Sequence, residues 1–101
     1  MKHLFGKLDD MEVDTIKNVV IDGQEICLAH AEDGSYYAID DICSHEEFNL
    51  SEGEIWGLEV ECPAHGSRFH LMTGEVSGPP ATEPVRTFPV TVEEDDVYIE
   101  L

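Results

Sequence analysis

Hydrophobic and polar positions alternate along this chain in short runs, and most runs stop at a turn dipeptide. Asn18-Val19-Val20-Ile21 ends at Asp22-Gly23, a pair suited to the left-handed backbone of a two-residue hairpin. Glu25 to Ala31 reads as the return strand. Asp33-Gly34 turns again, and Ser35-Tyr36-Tyr37-Ala38-Ile39 gives a third strand, so this part predicts an antiparallel meander. Glu54-Ile55-Trp56 and Leu58-Glu59-Val60-Glu61 flank Gly57 as a shorter hairpin. Phe69-His70-Leu71-Met72 returns, Thr73-Gly74 turns, and Ser77-Gly78-Pro79-Pro80 predicts a stiff, donor-poor loop. Val85 to Val92 and Val97 to Leu101 read as closing strands, with Glu93-Glu94-Asp95-Asp96 at the hairpin tip. Residues 1–14 are poorly patterned, and Leu4, Phe5 and Leu8 are expected to cover a sheet edge. Gly and Pro are spread too evenly for a helix. There are no repeats and no linker, so the expectation is one all-β domain over residues 1–101.

Two stretches escape this alternation, Asp40 to Leu50 and Cys62 to Arg68. Composition shows why they matter. A chain of 101 residues buries only a modest core, so a cross-link between loops would strengthen it. Hydrophobic residues make up 42%, enough to fold despite the charge. That charge is −18, from 5 Lys+Arg against 23 Asp+Glu. It argues against nucleic acid and anionic membrane as partners, because both repel such a surface. Ten acids lie between Glu32 and Glu61, including Asp40, Asp41, Glu59 and Glu61. Singly they read as a solvated face; together they could steer a basic partner. Met1 to Asp14 lacks the apolar stretch of a signal peptide, and no run is long enough to span a bilayer. A cytoplasmic protein is expected, and three cysteines fit a reducing compartment.

The two irregular stretches carry the chemistry. Cys43-Ser44-His45 and Cys62-Pro63-Ala64-His65 each offer one thiolate and one imidazole, and sixteen residues separate His45 from Cys62. Together the pairs can hold metal from two sides. The common zinc finger places both cysteines before both histidines. One of each per loop suits a centre of two unlike irons, one bound by the cysteines and the other by the histidines, as in a [2Fe–2S] cluster of the Rieske type. A mononuclear zinc site remains the rival. Cys27, within Ile26-Cys27-Leu28-Ala29, reads as a buried strand residue. His3 is expected to face solvent, His30 to lack a partner, and His70 to lie near the second loop without serving as a ligand. Trp56 reads as hairpin packing.

On these residues the sequence resembles the Rieske family. Cys43-Ser44-His45 and Cys62-Pro63-Ala64-His65-Gly66-Ser67-Arg68-Phe69 look like its two cluster loops. Thr73-Gly74 and Gly78-Pro79-Pro80 look like the segments that follow, and the resemblance covers roughly residues 15 to 101. It implies the Rieske fold, an antiparallel β-sandwich with an inserted cluster-binding lobe at about 41–83. It also implies one Rieske-type [2Fe–2S] cluster on Cys43, His45, Cys62 and His65, with Gly66, Ser67, Gly78 and Pro79 lining it. Backbone amides near Cys43, His45, Cys62 and Ser67 are expected to donate to its sulfurs. High-potential members carry an extra cysteine in each loop and form a disulfide. Phe48 or its neighbours and Ala64 stand at those places here. Phe69 lacks the hydroxyl that such members carry, so a low potential is expected.

The resemblance is to the soluble ferredoxins of bacterial aromatic ring-hydroxylating dioxygenase systems. It implies a monomeric electron carrier, not an enzyme. Its partners would be a flavin-dependent NAD(P)H reductase and a terminal Rieske oxygenase. Two alternatives stay open: a small subunit of a stable redox enzyme such as a nitrite-reductase-like complex, and a zinc-binding interaction module.

Overall fold

A computed structural model describes residues 2–43, 48–63, 66–79 and 81–101. Among them the strands are β1 (Lys2–Lys7), β2 (Thr15–Ile21), β3 (Gln24–His30), β4 (Tyr36–Asp40), β5 (Glu54–Trp56), β6 (Glu59–Glu61), β7 (Arg68–His70), β8 (Val76–Gly78), β9 (Thr87–Phe88), β10 (Val90–Glu93) and β11 (Asp96–Glu100). Short 3₁₀ turns occupy Leu8–Asp10 and Leu50–Glu52. The strands pair antiparallel in three sheets, β1-β11-β10, β2-β3-β4-β9 and β5-β6-β7-β8.

Strand β3 explains how the sheets stack. Every side chain from Ile26 to His30 is buried, so both faces of this strand must be covered. Alternation divides them. Ile26 and Leu28 join Tyr36, Ala38, Val97 and Ile99 in one core, while Cys27 and Ala29 join Ile39, Leu50, Val60, Phe69 and Leu71 in another. The β2-β3-β4-β9 sheet is therefore a central layer. The β1-β11-β10 sheet covers one face, and the β5–β8 lobe covers the other. Fully burying Leu28 alone contributes about 1.5–3 kcal/mol.

The expected meander is present. Asp22 and Gly23 both have positive φ, 53° and 80°, as a two-residue hairpin turn between right-twisted strands requires. The tip between β10 and β11 turns at Glu94, also at positive φ. Three expectations are corrected. The poorly patterned start is a strand, β1, paired with β11. A register shift between Leu4 and Gly6 breaks its alternation, and such a bulge hides a strand from its period. Phe5 and Leu8, expected to cover a sheet edge, are half-buried and pack on the core, whereas Leu4 is 60% exposed. Val85 to Val92 is not one strand. It splits at Pro89, which cannot donate to a ladder: β9 pairs with β4 and β10 with β11. The stretch expected to be a loop at Ser77-Gly78 is the end of β8, paired with β7 as far as Gly78.

His30 also departs from expectation, since it has partners on every side. Its ring stacks on Tyr36 at 4.1 Å, Nδ1 lies 2.9 Å from the Met11 carbonyl oxygen, and Nε2 lies 3.2 Å from that of Gly34. It joins the chain before β2 to the β3–β4 turn. His3 lies within β1 and is half-buried, 3.8 Å from Asp22.

Candidate metal centre

The two cysteines of the motif emerge from strand ends. Cys43 follows β4 by three residues, and Cys62 follows β6 directly. Both are buried, at 4% and 2% exposure, and both pack into the core that holds Leu50, Phe69, Leu71 and Ala81. Neither is in a disulfide. His45 and His65 lie outside the described residues, as does Pro80.

Each cysteine heads a loop closed by its own backbone. In the first, the Cys43 amide donates to Phe48 O at 2.9 Å, Ile42 bridges Asn49, and the Leu50 amide donates to Asp41 O at 2.6 Å. In the second, the Cys62 amide donates to Ser67 O at 2.7 Å and the Gly66 amide to Cys62 O at 3.2 Å. The amides of Cys43 and Cys62 themselves are thus taken up by loop closure. Gly66 has φ +76°, a backbone that only glycine adopts freely. A Cβ there would meet no described atom within 4 Å; the turn itself favours the glycine.

Ser67 is buried, and its Oγ accepts the Ala81 amide at 3.0 Å. That bond straps the segment after Pro79 to the second loop and leaves the hydroxyl proton for a second acceptor. Gly78 packs on the Arg68 side chain, and Pro79 is exposed. Phe69 is fully buried and brings no hydroxyl to the core.

Charge around the lobe is more balanced than the sequence implied. Arg68 Nε donates to Glu61 at 3.1 Å, with Glu59 at 3.8 Å, and its guanidinium lies 5.4 Å from the Trp56 ring centre. Trp56 is 50% exposed, so it is a half-open platform for Arg68 rather than packed interior. His70 lies 3.7 Å from Glu59. Asp40 takes Arg86 in a two-pronged pair at 3.0 and 2.9 Å. Asp41, counted above with the surface acids, is fully buried. Nothing in Asp40-Asp41 tells the two apart; the signal lies beyond the loop, in Asn49 and Ser51, whose side chains reach it.

Among the described residues no group of three or more His, Cys, Asp or Glu converges as a metal site; two of the four candidate ligands are not among them. What is described fits a thiolate-ligated cluster. Two buried cysteines outside any disulfide, on loops rooted in one apolar core, offer soft donors shielded from water.

The comparisons with known proteins agree. Residues 2–89 match the Rieske [2Fe-2S] domain. The ferredoxin component of the naphthalene 1,2-dioxygenase system of Pseudomonas putida is 36% identical over 94 residues, covering 93% of this chain and 89% of that protein. The solved ferredoxin of carbazole 1,9a-dioxygenase from Nocardioides aromaticivorans IC177 superposes with TM-score 0.94 at 31% identity, covering 99% of this chain and 97% of its own. A chain from the complex of reduced oxygenase and oxidized ferredoxin in carbazole 1,9a-dioxygenase matches at TM-score 0.90 and 34% identity, over 96% of this chain and 99% of that one. The chain therefore belongs to the Rieske [2Fe–2S] family, as a ferredoxin rather than a catalytic oxygenase, and its cofactor is a Rieske-type [2Fe–2S] cluster.

Proposed function

We propose that this protein carries single electrons from an NAD(P)H-dependent flavin reductase to the terminal oxygenase of an aromatic ring-hydroxylating dioxygenase system. In this reading Cys43 and Cys62 hold one iron of the cluster, and His45 and His65 hold the other. The observation that carries it is the pair of buried cysteines, each heading a backbone-closed loop on one shared core.

When bound, the cluster supplies reversible uptake and release of one electron. Imidazole in place of two thiolates sets Rieske potentials at about −150 to +300 mV, above the plant-type value of about −400 mV. The chain's own residues hold and shield it. Leu50, Phe69, Leu71 and Ala81 keep water from the cysteine side, and the Ser67–Ala81 bond holds the proline segment against the second loop. Relatives named as dioxygenase ferredoxin components, and a neighbour solved in complex with an oxygenase, support the oxygenase as a partner. Among the described residues no helix is long and apolar enough to cross a membrane. That and three unbridged cysteines support work in the cytoplasm. The whole chain would act as one monomeric domain.

The test is stopped-flow electron transfer with purified components. The loaded protein should take one electron per chain from NADH through a catalytic amount of reductase, then return it to an oxidised oxygenase. Isolation as a fixed stoichiometric subunit of a larger enzyme, with no exchange between reductase and oxygenase, would overturn the carrier reading in favour of a bound redox subunit.

A further inference from the structure

We propose that Asp41 is the positioning residue of the Cys43 loop, fixing both of its feet to β2 and placing one buried negative charge beside the cluster. The inference rests on the cluster reading above.

Asp41 is fully buried, yet among the described residues its carboxylate meets no Lys or Arg. Four neutral donors hold it instead. The Ser51 amide lies at 2.6 Å, Ser51 Oγ at 2.7 Å, Asn49 Nδ2 at 2.8 Å and Asn18 Nδ2 at 2.5 Å. An all-donor set is what an ionised carboxylate takes. Asn18 and Asn49 each give their amide group to a second acceptor as well, Glu25 Oε1, at 3.3 and 3.0 Å. Two side-chain amides thus bridge two carboxylates, one buried and one at the surface.

The placement is specific. Asp41 stands where the chain leaves β4, two residues before Cys43; Asn49 and Ser51 stand where it returns; Asn18 belongs to β2. One carboxylate therefore ties both feet of the loop to a neighbouring strand. Closing the loop does not require it, because the Ile42–Asn49 bridge and the Cys43 and Leu50 amides already do so. A buried charge is costly to desolvate. What it adds is rigidity at a single point and a field. Two residues of chain put it about 7 Å or less from Cys43 in Cα separation. A negative charge on the segment that leads into Cys43, with no Lys or Arg against it among the described residues, opposes the arrival of an electron and lowers the potential.

The experiment uses the loaded protein as wild type, Asp41→Asn, Ser51→Ala and Asn49→Ala. Iron, acid-labile sulfide, midpoint potential and cluster release rate are measured for each. Asp41→Asn should raise the midpoint potential. Ser51→Ala keeps the charge but removes a neutralising donor, so it should lower the potential and release the cluster several-fold faster. A strut without electrostatic effect would alter release and leave the potential unmoved, so a loaded Asp41→Asn protein at the wild-type potential overturns the proposal. Should Asp41→Asn fail to load, the alanine variants decide: wild-type potential and release in both would overturn it, and a lowered potential with faster release in Ser51→Ala would support it. Wild-type protein without iron and sulfide would overturn the cluster reading itself, a different and recognisable failure.

Discussion

Cys27 is the third cysteine, and its chemistry follows from where β3 places it. Burial pushes its thiol far above the ordinary range, and the nearby Asp41 charge pushes the same way. The folded state thus keeps a proton that the unfolded chain sheds above about pH 8.5. A raised folded value means that the stability is whole below the unfolded value and falls as pH rises past it. Wild type should lose up to about 1.4 kcal/mol per pH unit there, relative to Cys27→Ala. Thermal melts from pH 7.5 to 10 check this, and parallel curves for the two proteins would refute it. Ser67 acts through another group. Its replacement by Ala leaves the Ala81 amide without its acceptor, at a cost of about 1–3 kcal/mol. Ser67→Ala should melt lower and release its cluster sooner; an unchanged melting temperature would mean that the strap holds nothing.

At the scale of elements, Gly74 closes the Thr73-Gly74 turn at φ +75°. A Cβ there would stand 2.1 Å from the Val85 carbonyl oxygen, while the Val85 amide donates to Gly74 O at 2.9 Å. Backbone presses on backbone, so no side chain can give way. Gly74→Ala should cost about 1–3 kcal/mol from the left-handed conformation alone. A drop of roughly 10 °C in melting temperature is expected, and a wild-type melt would contradict the close approach. The hairpins from β2 to β4 and from β5 to β6 were legible in the sequence because turn pairs such as Asp22-Gly23 carry backbone requirements of their own. Strand β1 was not, because its bulge between Leu4 and Gly6 interrupts the alternation. The β9–β10 division was half visible, since Pro89 stands in the run, but which sheet each half joins is a tertiary matter. The Cys43-Ser44-His45 and Cys62-Pro63-Ala64-His65 pattern is visible in the sequence, and the structure adds that both cysteines are buried in one core. Asp41 was not, because a buried acid and a surface acid look alike until Asn18, Asn49 and Ser51 are brought around it.

For the molecule as a whole the governing quantity is a charge of −18. Among the described residues, acids engage four of the five basic side chains: Lys2 with Glu93, Lys7 with Asp96, Arg68 with Glu61 and Arg86 with Asp40. Little positive surface is left to offset Glu32, Glu52 and Glu54, which stay exposed near the lobe sequence. Salt should therefore act in two opposite directions. Screening over about 8–10 Å relieves self-repulsion, so the melting temperature should rise between low and physiological ionic strength. The same screening weakens attraction to a basic partner, so the second-order rate of reduction should fall. Stopped-flow rates and melts over one salt series test both, and a salt-independent rate would remove charge steering. The cluster's two irons should be ligated unequally, two cysteines on one and two histidines on the other. Low-temperature EPR of the dithionite-reduced protein, with iron and sulfide analysis on the same sample, tests it most directly. Two irons and two acid-labile sulfides per chain are expected, with an average g below that of all-cysteine ferredoxins. A colourless, EPR-silent protein holding one zinc per chain would contradict it.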